Sequence, residues 1–265
     1  MKTVLTIAGS DSSGGAGIQA DIKTITAHGL YAMSVITAVT AQNTLSVSGI
    51  ESISPEMVKK QLDSVFEDIF PHAVKIGMVQ NSSIIEAIAD SLEKYQPEHV
   101  VLDTVMVSTS QKPLLEEEAV ESLQKRLLPL ADIITPNIPE AQVLSHIHIT
   151  DKDSRIRAAK KIAKNYKGAI LIKGGHDKDN ADDLLYQQEK ELWYESPRID
   201  NPNTHGTGCT LSSAIACNLA KGYSMEEAVS YAKDYITGAL KSGMNLGHGS
   251  GPLNHMWQQN RQNNY

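Results

Sequence analysis

Short apolar runs rich in β-branched residues alternate along the chain with longer segments whose apolar positions follow a helical period. The runs Val4–Ala8, Ser34–Val39, Ala73–Ile76, Val100–Leu102, Ile133–Thr135 and Ala169–Lys173 predict strands. Between them, Gly15–Ala27, Pro55–Phe66, Ser82–Lys94, Glu116–Leu128 and Asp153–Tyr166 predict amphipathic helices. Pro55 suits a first helical position behind Ser54 as N-cap, and Ser82 is expected to cap in the same way. Nearly continuous apolar strands separated by helices predict an α/β fold, a mostly parallel sheet covered on both faces. Right-handed crossovers then gather the loops that follow the strands along one edge, where such folds bind ligands. Late in the chain the pattern changes to a short hairpin, Asp183–Tyr186 with Glu191–Pro197, and two consecutive helices, Leu211–Ala220 and Met225–Lys241. With no low-complexity linker or fixed-period repeat, residues 1–265 read as a single domain. The polar end from about 258 to 265 is expected to fray.

Composition narrows the function classes. Apolar residues make up 41% and charged residues 21%, which excludes a disordered or coiled-coil chain. The 24 Lys and Arg against 31 Asp and Glu give a net charge of -7, so neither nucleic acid nor an anionic membrane is an expected partner. No secretory signal or uncharged stretch of membrane-spanning length stands in the sequence, and the expected location is the cytoplasm. Cys209 and Cys217 fall on one helix at a separation of about 12 Å, too far for a disulfide.

Two glycine-rich turns carry candidate chemistry. After the first strand, Gly15-Ala16-Gly17-Ile18-Gln19-Ala20 matches a dinucleotide-binding pattern, but the next strand ends Val39-Thr40-Ala41-Gln42-Asn43-Thr44 without the carboxylate such a site needs. The glycines then serve either close helix–strand packing or a small-substrate pocket built from this loop, Asp21 and Gln42. The second turn, Asn203-Thr204-His205-Gly206-Thr207-Gly208-Cys209-Thr210, directly precedes a helix. Its unpaired N–H groups and the helix dipole make it ready to hold an anion, and a helix start also favours the thiolate of Cys209, which otherwise reads as a small buried residue.

Three further segments fit a phosphate-handling edge. Asn137 and Glu140, three residues apart after a strand, suit a hydrated Mg²⁺, or equally a helix-capping Asn with its Glu. Lys173, ahead of Gly174-Gly175-His176, offers a point charge against phosphate or a solvated strand end. Gly247-His248-Gly249-Ser250-Gly251-Pro252 is a loop that would wall a nucleotide pocket. Together the anion turn, the Mg²⁺ pair and the lysine point toward phosphoryl transfer.

The same segments resemble bacterial hydroxymethylpyrimidine/phosphomethylpyrimidine kinases. The likeness rests on Leu5-Thr6-Ile7-Ala8-Gly9-Ser10-Asp11-Ser12, Gly14-Gly15-Ala16-Gly17-Ile18-Gln19-Ala20-Asp21 and Thr37-Ala38-Val39-Thr40-Ala41-Gln42-Asn43-Thr44. It continues through Lys75-Ile76-Gly77-Met78, Thr135-Pro136-Asn137-Ile138-Pro139-Glu140, Lys173-Gly174-Gly175-His176, His205-Gly206-Thr207-Gly208-Cys209-Thr210 and Gly247-His248-Gly249, in order along nearly the whole chain. Two departures stand out. Thr104 follows Asp103 where the family often has proline, and Gln111 stands where glycine is usual, in Ser108–Lys112, a loop expected to act as a lid.

The resemblance implies a ribokinase-like three-layer α/β/α fold with a central, mostly parallel sheet. It also implies an enzyme of thiamine biosynthesis that uses ATP and Mg²⁺. Such an enzyme phosphorylates 4-amino-5-hydroxymethyl-2-methylpyrimidine and then its monophosphate to the diphosphate. By match of motif, Gln42 would bind the aminopyrimidine edge, with Gly9, Asp21, Met78 and Val105 lining the same pocket. The N–H groups of Gly206, Thr207, Gly208 and Cys209 would hold the ATP γ-phosphate. Asn137 and Glu140 would hold Mg²⁺ through water, Lys173 would offset charge, and Gly249 would border the nucleotide. Cys209 stands where many ribokinase relatives carry an aspartate base, a role worth ~10²–10⁴-fold in rate. The alternatives are a pyridoxine/pyridoxal kinase of the same fold and a ligand sensor without turnover. An exposed sheet edge would permit a homodimer.

Overall fold

The computed structural model describes residues 1–106, 117–175 and 180–262. Among them, nine strands form one sheet in the order β3-β2-β1-β4-β5-β6-β7-β8-β9. These are β1 (Thr3–Asp11), β2 (Tyr31–Gln42), β3 (Val47–Ser52), β4 (Ala73–Ile76), β5 (Val100–Leu102), β6 (Ile133–Ile134), β7 (Ala169–Ile172), β8 (Asp183–Gln187) and β9 (Lys190–Tyr194). β1, β2, β4, β5, β6 and β7 run parallel, whereas β3 at one edge and the β8–β9 hairpin at the other add antiparallel pairs.

Period-two alternation assigns every parallel strand a side for each residue. Leu5, Ile7, Val74, Ile76, Val100, Leu102, Ile134, Ile170 and Ile172 face one core. That core is closed by α2 (Pro55–Phe66), α3 (Ser82–Tyr95), α4 (Glu117–Ser122), α5 (Ile138–Ser145) and α6 (Lys152–Ala163). Val4, Ala73, Val101, Ile133, Ala169 and Leu171 face the other, closed by α1 (Gly17–Ala27), α7 (Thr207–Ala220) and α8 (Met225–Ser242). The result is the three-layer α/β/α arrangement of the ribokinase-like fold.

Several local expectations change. Asn81 rather than Ser82 caps α3, accepting from the Ile84 N–H at 3.0 Å, so Ser82 is the first helical residue. Val47–Ser52 forms a strand that the sequence pattern passes over, because an edge strand alternating with Ser, Gly and Glu carries too few apolar residues. The segment after α4 loosens into a π turn, Leu123–Leu127, and a 3-10 turn ending at Leu130 after Pro129. α9 (Trp257–Gln262) is docked by Trp257, whose ring occupies the space a side chain at Gly238 would fill, and by Gln259 Nε2 donating to the Ala27 carbonyl at 3.2 Å. The expected lid Ser108–Lys112 lies outside the described residues, as do His176 and residues 263–265. No helix among the described residues is long and apolar enough to cross a membrane.

Candidate active site

The C-terminal ends of β1, β4, β5, β6 and β7 meet the N-terminus of α7. The same alternation that sends Val4, Ala73, Val101, Ile133 and Leu171 toward α7 sends Thr6, Lys75, Asp103, Thr135 and Lys173 the same way, one step further along each strand. These polar side chains form two buried ion pairs beneath the second glycine turn. Lys75, fully buried, places Nζ at 3.0 and 2.9 Å from the two carboxylate oxygens of Asp21 on α1. Asp21 also accepts from Thr6 Oγ1 at 2.6 Å and Ser213 Oγ at 2.8 Å. Lys173 Nζ lies 2.7 Å from Asp103 Oδ1, which also accepts from Thr135 Oγ1 at 2.9 Å.

This placement gives Asp21 a role other than lining the substrate pocket. With no solvent exposure and both oxygens bonded, it holds Lys75 rather than facing a ligand. Burial opposes charge on Lys75, but the carboxylate of Asp21, with Cys209 and Asp103 nearby, holds its pKa above the ordinary lysine value. Lys173 is likewise raised, against burial, by Asp103 and Glu140. Asp103 is held low, against burial, by Lys173 and Lys75.

Gly206 begins α7 with φ of 81° and presses against the first glycine turn, where a Cβ would meet the Gly15 carbonyl oxygen at 1.9 Å. Only glycine satisfies both the left-handed backbone and that approach. The Thr207 N–H is already bonded to the Thr204 carbonyl at 3.3 Å, which leaves Gly206, Gly208 and Cys209 of the four N–H groups expected to face an anion. Gly208 stands over the second ion pair: a Cβ there would lie 3.3 Å from Asp103 Oδ2 and 3.6 Å from Lys173 Nζ.

Cys209, half-buried in the first turn of α7, departs from the expected stabilised thiolate. Burial pushes its thiol up to about 11, a stronger effect than the lowering by Lys75 and the Gly17 N–H, and Asp21 and Asp103 add to the rise. At neutral pH the side chain is a thiol. Cys217 lies in the core, as its apolar helix implies.

Asn137 and Glu140 form a capping box at the start of α5. Asn137 Oδ1 accepts from the Glu140 N–H at 2.9 Å, and Glu140 Oε2 accepts from the Asn137 N–H at 2.8 Å. Thr104 Oγ1, on the residue that departs from the usual proline, lies 3.2 Å from the same oxygen. The Asn137 carbonyl oxygen is thereby committed to the helix. Burial, reinforced by Asp103 and offset by Lys173, pushes the Glu140 carboxyl up to about 7.

The other predicted residues gather along the same edge. Gly9 and Met78 are neighbours, a Cβ on Gly9 being 3.3 Å from Met78 Sδ, and Val105 is half-buried just beyond Asp103. Gln42 closes β2 with its backbone pinned to Ser12 Oγ, which donates to its carbonyl at 2.7 Å and accepts from its N–H at 2.9 Å. Gly249 packs on the carbonyl of Thr44 and donates to Thr44 Oγ1 at 3.2 Å, and its loop touches the second turn where the His205 N–H reaches the Gly251 carbonyl.

Residue-by-residue reading missed Lys75, Asp103 and the contact between His205 and Asp11. The available signal was a charge inside or closing a fully apolar strand, which demands a buried partner.

The sequence model of the family described as phosphomethylpyrimidine kinase matches residues 11–254. The hydroxymethylpyrimidine/phosphomethylpyrimidine kinase of Haemophilus influenzae is 47% identical, over 98% of both chains. The crystal structure of phosphomethylpyrimidine kinase from Clostridium difficile shares 49% identity with a TM-score of 0.80, covering 89% of this chain and 98% of that one. An ADP complex of Bacillus subtilis pyridoxal kinase shares 38% identity with a TM-score of 0.90, covering 98% and 99%. A charge-lined anion turn on this fold, and relatives near half identity from end to end, lead to one conclusion: the chain belongs to the phosphomethylpyrimidine kinase family.

Proposed function

We propose that the protein uses ATP to phosphorylate 4-amino-5-hydroxymethyl-2-methylpyrimidine and then its monophosphate. The observation that carries this reading is the turn Gly206–Cys209 seated directly over the Asp103–Lys173 pair, with Gln42, Gly9 and Met78 along the same edge. Phosphoryl transfer is governed by positioning and electrostatics, and this edge supplies both. The N–H groups of Gly208 and Cys209 would orient the transferring phosphoryl group, and Lys173 would offset its charge.

The donor set fits a hydrated Mg²⁺ held through Glu140. That carboxyl is raised chiefly by burial, with Lys173 opposing the rise and Asp103 adding to it, so a cation beside it would favour its charged form. Among the described residues no cluster of three or more His, Cys, Asp or Glu could hold an ion. When bound, Mg²⁺ would neutralise charge on the phosphate oxygens.

Cys209 would accept the hydroxymethyl proton only as a thiolate, and Lys75 favours that form. In the first step the hydroxymethyl proton has to leave, and that is where a base is needed. The monophosphate is largely deprotonated at neutral pH and needs none. Such an enzyme acts on small molecules in the cytoplasm.

The high structural likeness to a pyridoxal kinase supports a second reading, pyridoxine phosphorylation at the same site. Mass spectrometry after incubation with Mg-ATP and equimolar pyrimidine alcohol and pyridoxine separates them. Mono- and diphosphate of the pyrimidine with little pyridoxine phosphate is the expected result, and dominant pyridoxine phosphate would replace the first reading with the second.

A further inference from the structure

The two glycine turns are joined by a buried contact that also reaches Gln42. His205 Nε2 lies 2.8 Å from Asp11 Oδ2, and both side chains are buried. The imidazole sits on the bare Cα of Gly15, where a Cβ would approach its Cδ2 to 2.3 Å. Asp11 is an acceptor throughout: its carboxylate takes the N–H groups of Ser13, Gly15 and Ala16 at 2.8, 3.1 and 2.8 Å, and Ser13 Oγ at 2.8 Å. Against burial, those bonds and His205 hold its pKa down at about 2. His205 Nε2 therefore carries a proton and donates it to Asp11, whether the ring is neutral or charged.

That assignment decides the orientation of the Gln42 amide. One end of the amide lies 3.4 Å from His205 Nε2 and the other 3.1 Å from Thr40 Oγ1, which also lies 3.1 Å from the Ser10 carbonyl. With the amide nitrogen toward His205, two donors face each other. Thr40 would also have to donate to both the amide oxygen and the Ser10 carbonyl with a single proton. Turning the amide over removes the donor–donor contact and frees the Thr40 proton for Ser10. Oε1 then takes the longer, 3.4 Å arm of a three-centre bond from the His205 N–H whose shorter arm goes to Asp11, and Nε2 donates to Thr40 Oγ1.

We propose that the Asp11–His205 pair is a positioning device that fixes Gln42 with Oε1 toward the imidazole and Nε2 toward Thr40, and thereby selects the ring. The free valences of the amide are then an acceptor on the His205 side and a donor on the Thr40 side. A 4-aminopyrimidine edge complements them, its amino group donating and its ring nitrogen accepting. The 4-oxo analogue presents the reverse pattern, a carbonyl acceptor beside a ring N–H. This inference rests on the reading that Gln42 contacts the pyrimidine.

Two measurements test it. Neutron diffraction of the deuterated protein reads the amide directly, with no dependence on turnover. Deuterons on the Gln42 nitrogen facing Thr40 and on His205 Nε2 are expected, and the opposite amide orientation would overturn the proposal. The second measurement is the ratio of kcat/KM for the 4-amino alcohol to that for its 4-oxo analogue. The parent ratio should be at least ~100, because the wrong ring leaves polar groups unpaired. In His205→Leu the ratio should fall to within about tenfold, whereas His205→Gln, whose amide replaces the Nε2 donor, should stay near the parent. A merely structural role for His205 would lower both substrates together, and an unchanged ratio in His205→Leu would sink the proposal. If the parent turned over neither pyrimidine, the proposed function would fall, and the neutron result would still decide the amide lock.

Discussion

Replacing Lys75 by Met tests whether the charge layer under α7 supports the fold. The substitution keeps the stem and removes the ammonium that bonds both oxygens of Asp21, leaving a carboxylate with no solvent exposure and only Thr6 and Ser213 as donors. An uncompensated buried charge of this kind costs about 3–5 kcal/mol, a large share of the 5–15 kcal/mol typical of a folded domain. Asp21→Asn combined with Lys75→Met removes both charges and retains packing, so it should recover most of the loss, with a coupling of ~2–3 kcal/mol in the double-mutant cycle. Urea unfolding at pH 7 reads these values. The deficit of the single variant should also narrow as pH falls toward 4, because an unpaired buried carboxyl is favoured when protonated. With the lysine present the sign is opposite: its raised pKa gives stability that is full below the unfolded value of 10.5 and lost as pH rises beyond it. A loss under ~1 kcal/mol in the single variant, or a double variant no more stable than the single, would refute the assignment of this pair as a coupled unit. The double variant also isolates the effect on Cys209. Lys75 lowers the thiol pKa more than Asp21 raises it, so alkylation by iodoacetamide should require a higher pH than in the parent.

Other consequences follow from the same geometry. In the parent, Cys209 alkylation should be slow at neutral pH and rise toward pH 11, where the thiol titrates; fast reaction at pH 7 would contradict a burial-dominated thiol. Cys209→Ala should slow the first phosphorylation much more than the second, read as separate single-turnover rates, and equal losses would assign Cys209 to the anion site or to packing. Asp11, with its pKa lowered from 3.8 to about 2, contributes about 2 kcal/mol that is present above pH 4 and lost as pH falls toward 2. Asp11→Asn should therefore be less stable at pH 7 and show a flatter acid limb in unfolding followed by circular dichroism. Gly206→Ala forces a left-handed residue into the Gly15 carbonyl and should cost more than ~1 kcal/mol by urea unfolding, with activity falling by ~100-fold or more.

The strands Ala73–Ile76 and Val100–Leu102 and the helix Pro55–Phe66 were legible to the residue, because their signals are local: a continuous apolar run, or a Ser-Pro start on a helical period. The glycine turns were legible as turns. What they hold was not, since the His205–Asp11 contact joins residues 194 positions apart. Asn137 and Glu140 show the reverse case, in which one spacing served two readings. The structure contains the capping box, in which one bond occupies the Asn137 oxygen.

A rule emerges from the strand ends that the apolar pattern alone conceals. Thr6, Lys75, Asp103, Thr135 and Lys173 each sit two residues beyond an apolar residue that packs under α7, so the period that builds the core also delivers the charges to one place. Scanned for hydrophobicity, Lys75 is a blemish in a buried strand; scanned for alternation, it is the next residue on the α7 face. Its burial is tolerable because Asp21 arrives from α1 on that same side, with Ser213 one turn below Cys209 on α7. Core and site are thus one construction. Substitutions that repack the α7 face should disturb Cys209 and the anion turn before they unfold the sheet, whereas equal substitutions on the α2 and α3 face should cost stability first. Ile215→Val and Ile88→Val, both in fully buried residues, make that comparison with one methylene each. Both should lose about 1 kcal/mol in urea, and the Ile215 variant alone should shift the pH dependence of Cys209 alkylation. Equal shifts in both, or none in either, would mean that the two layers do not differ in this way.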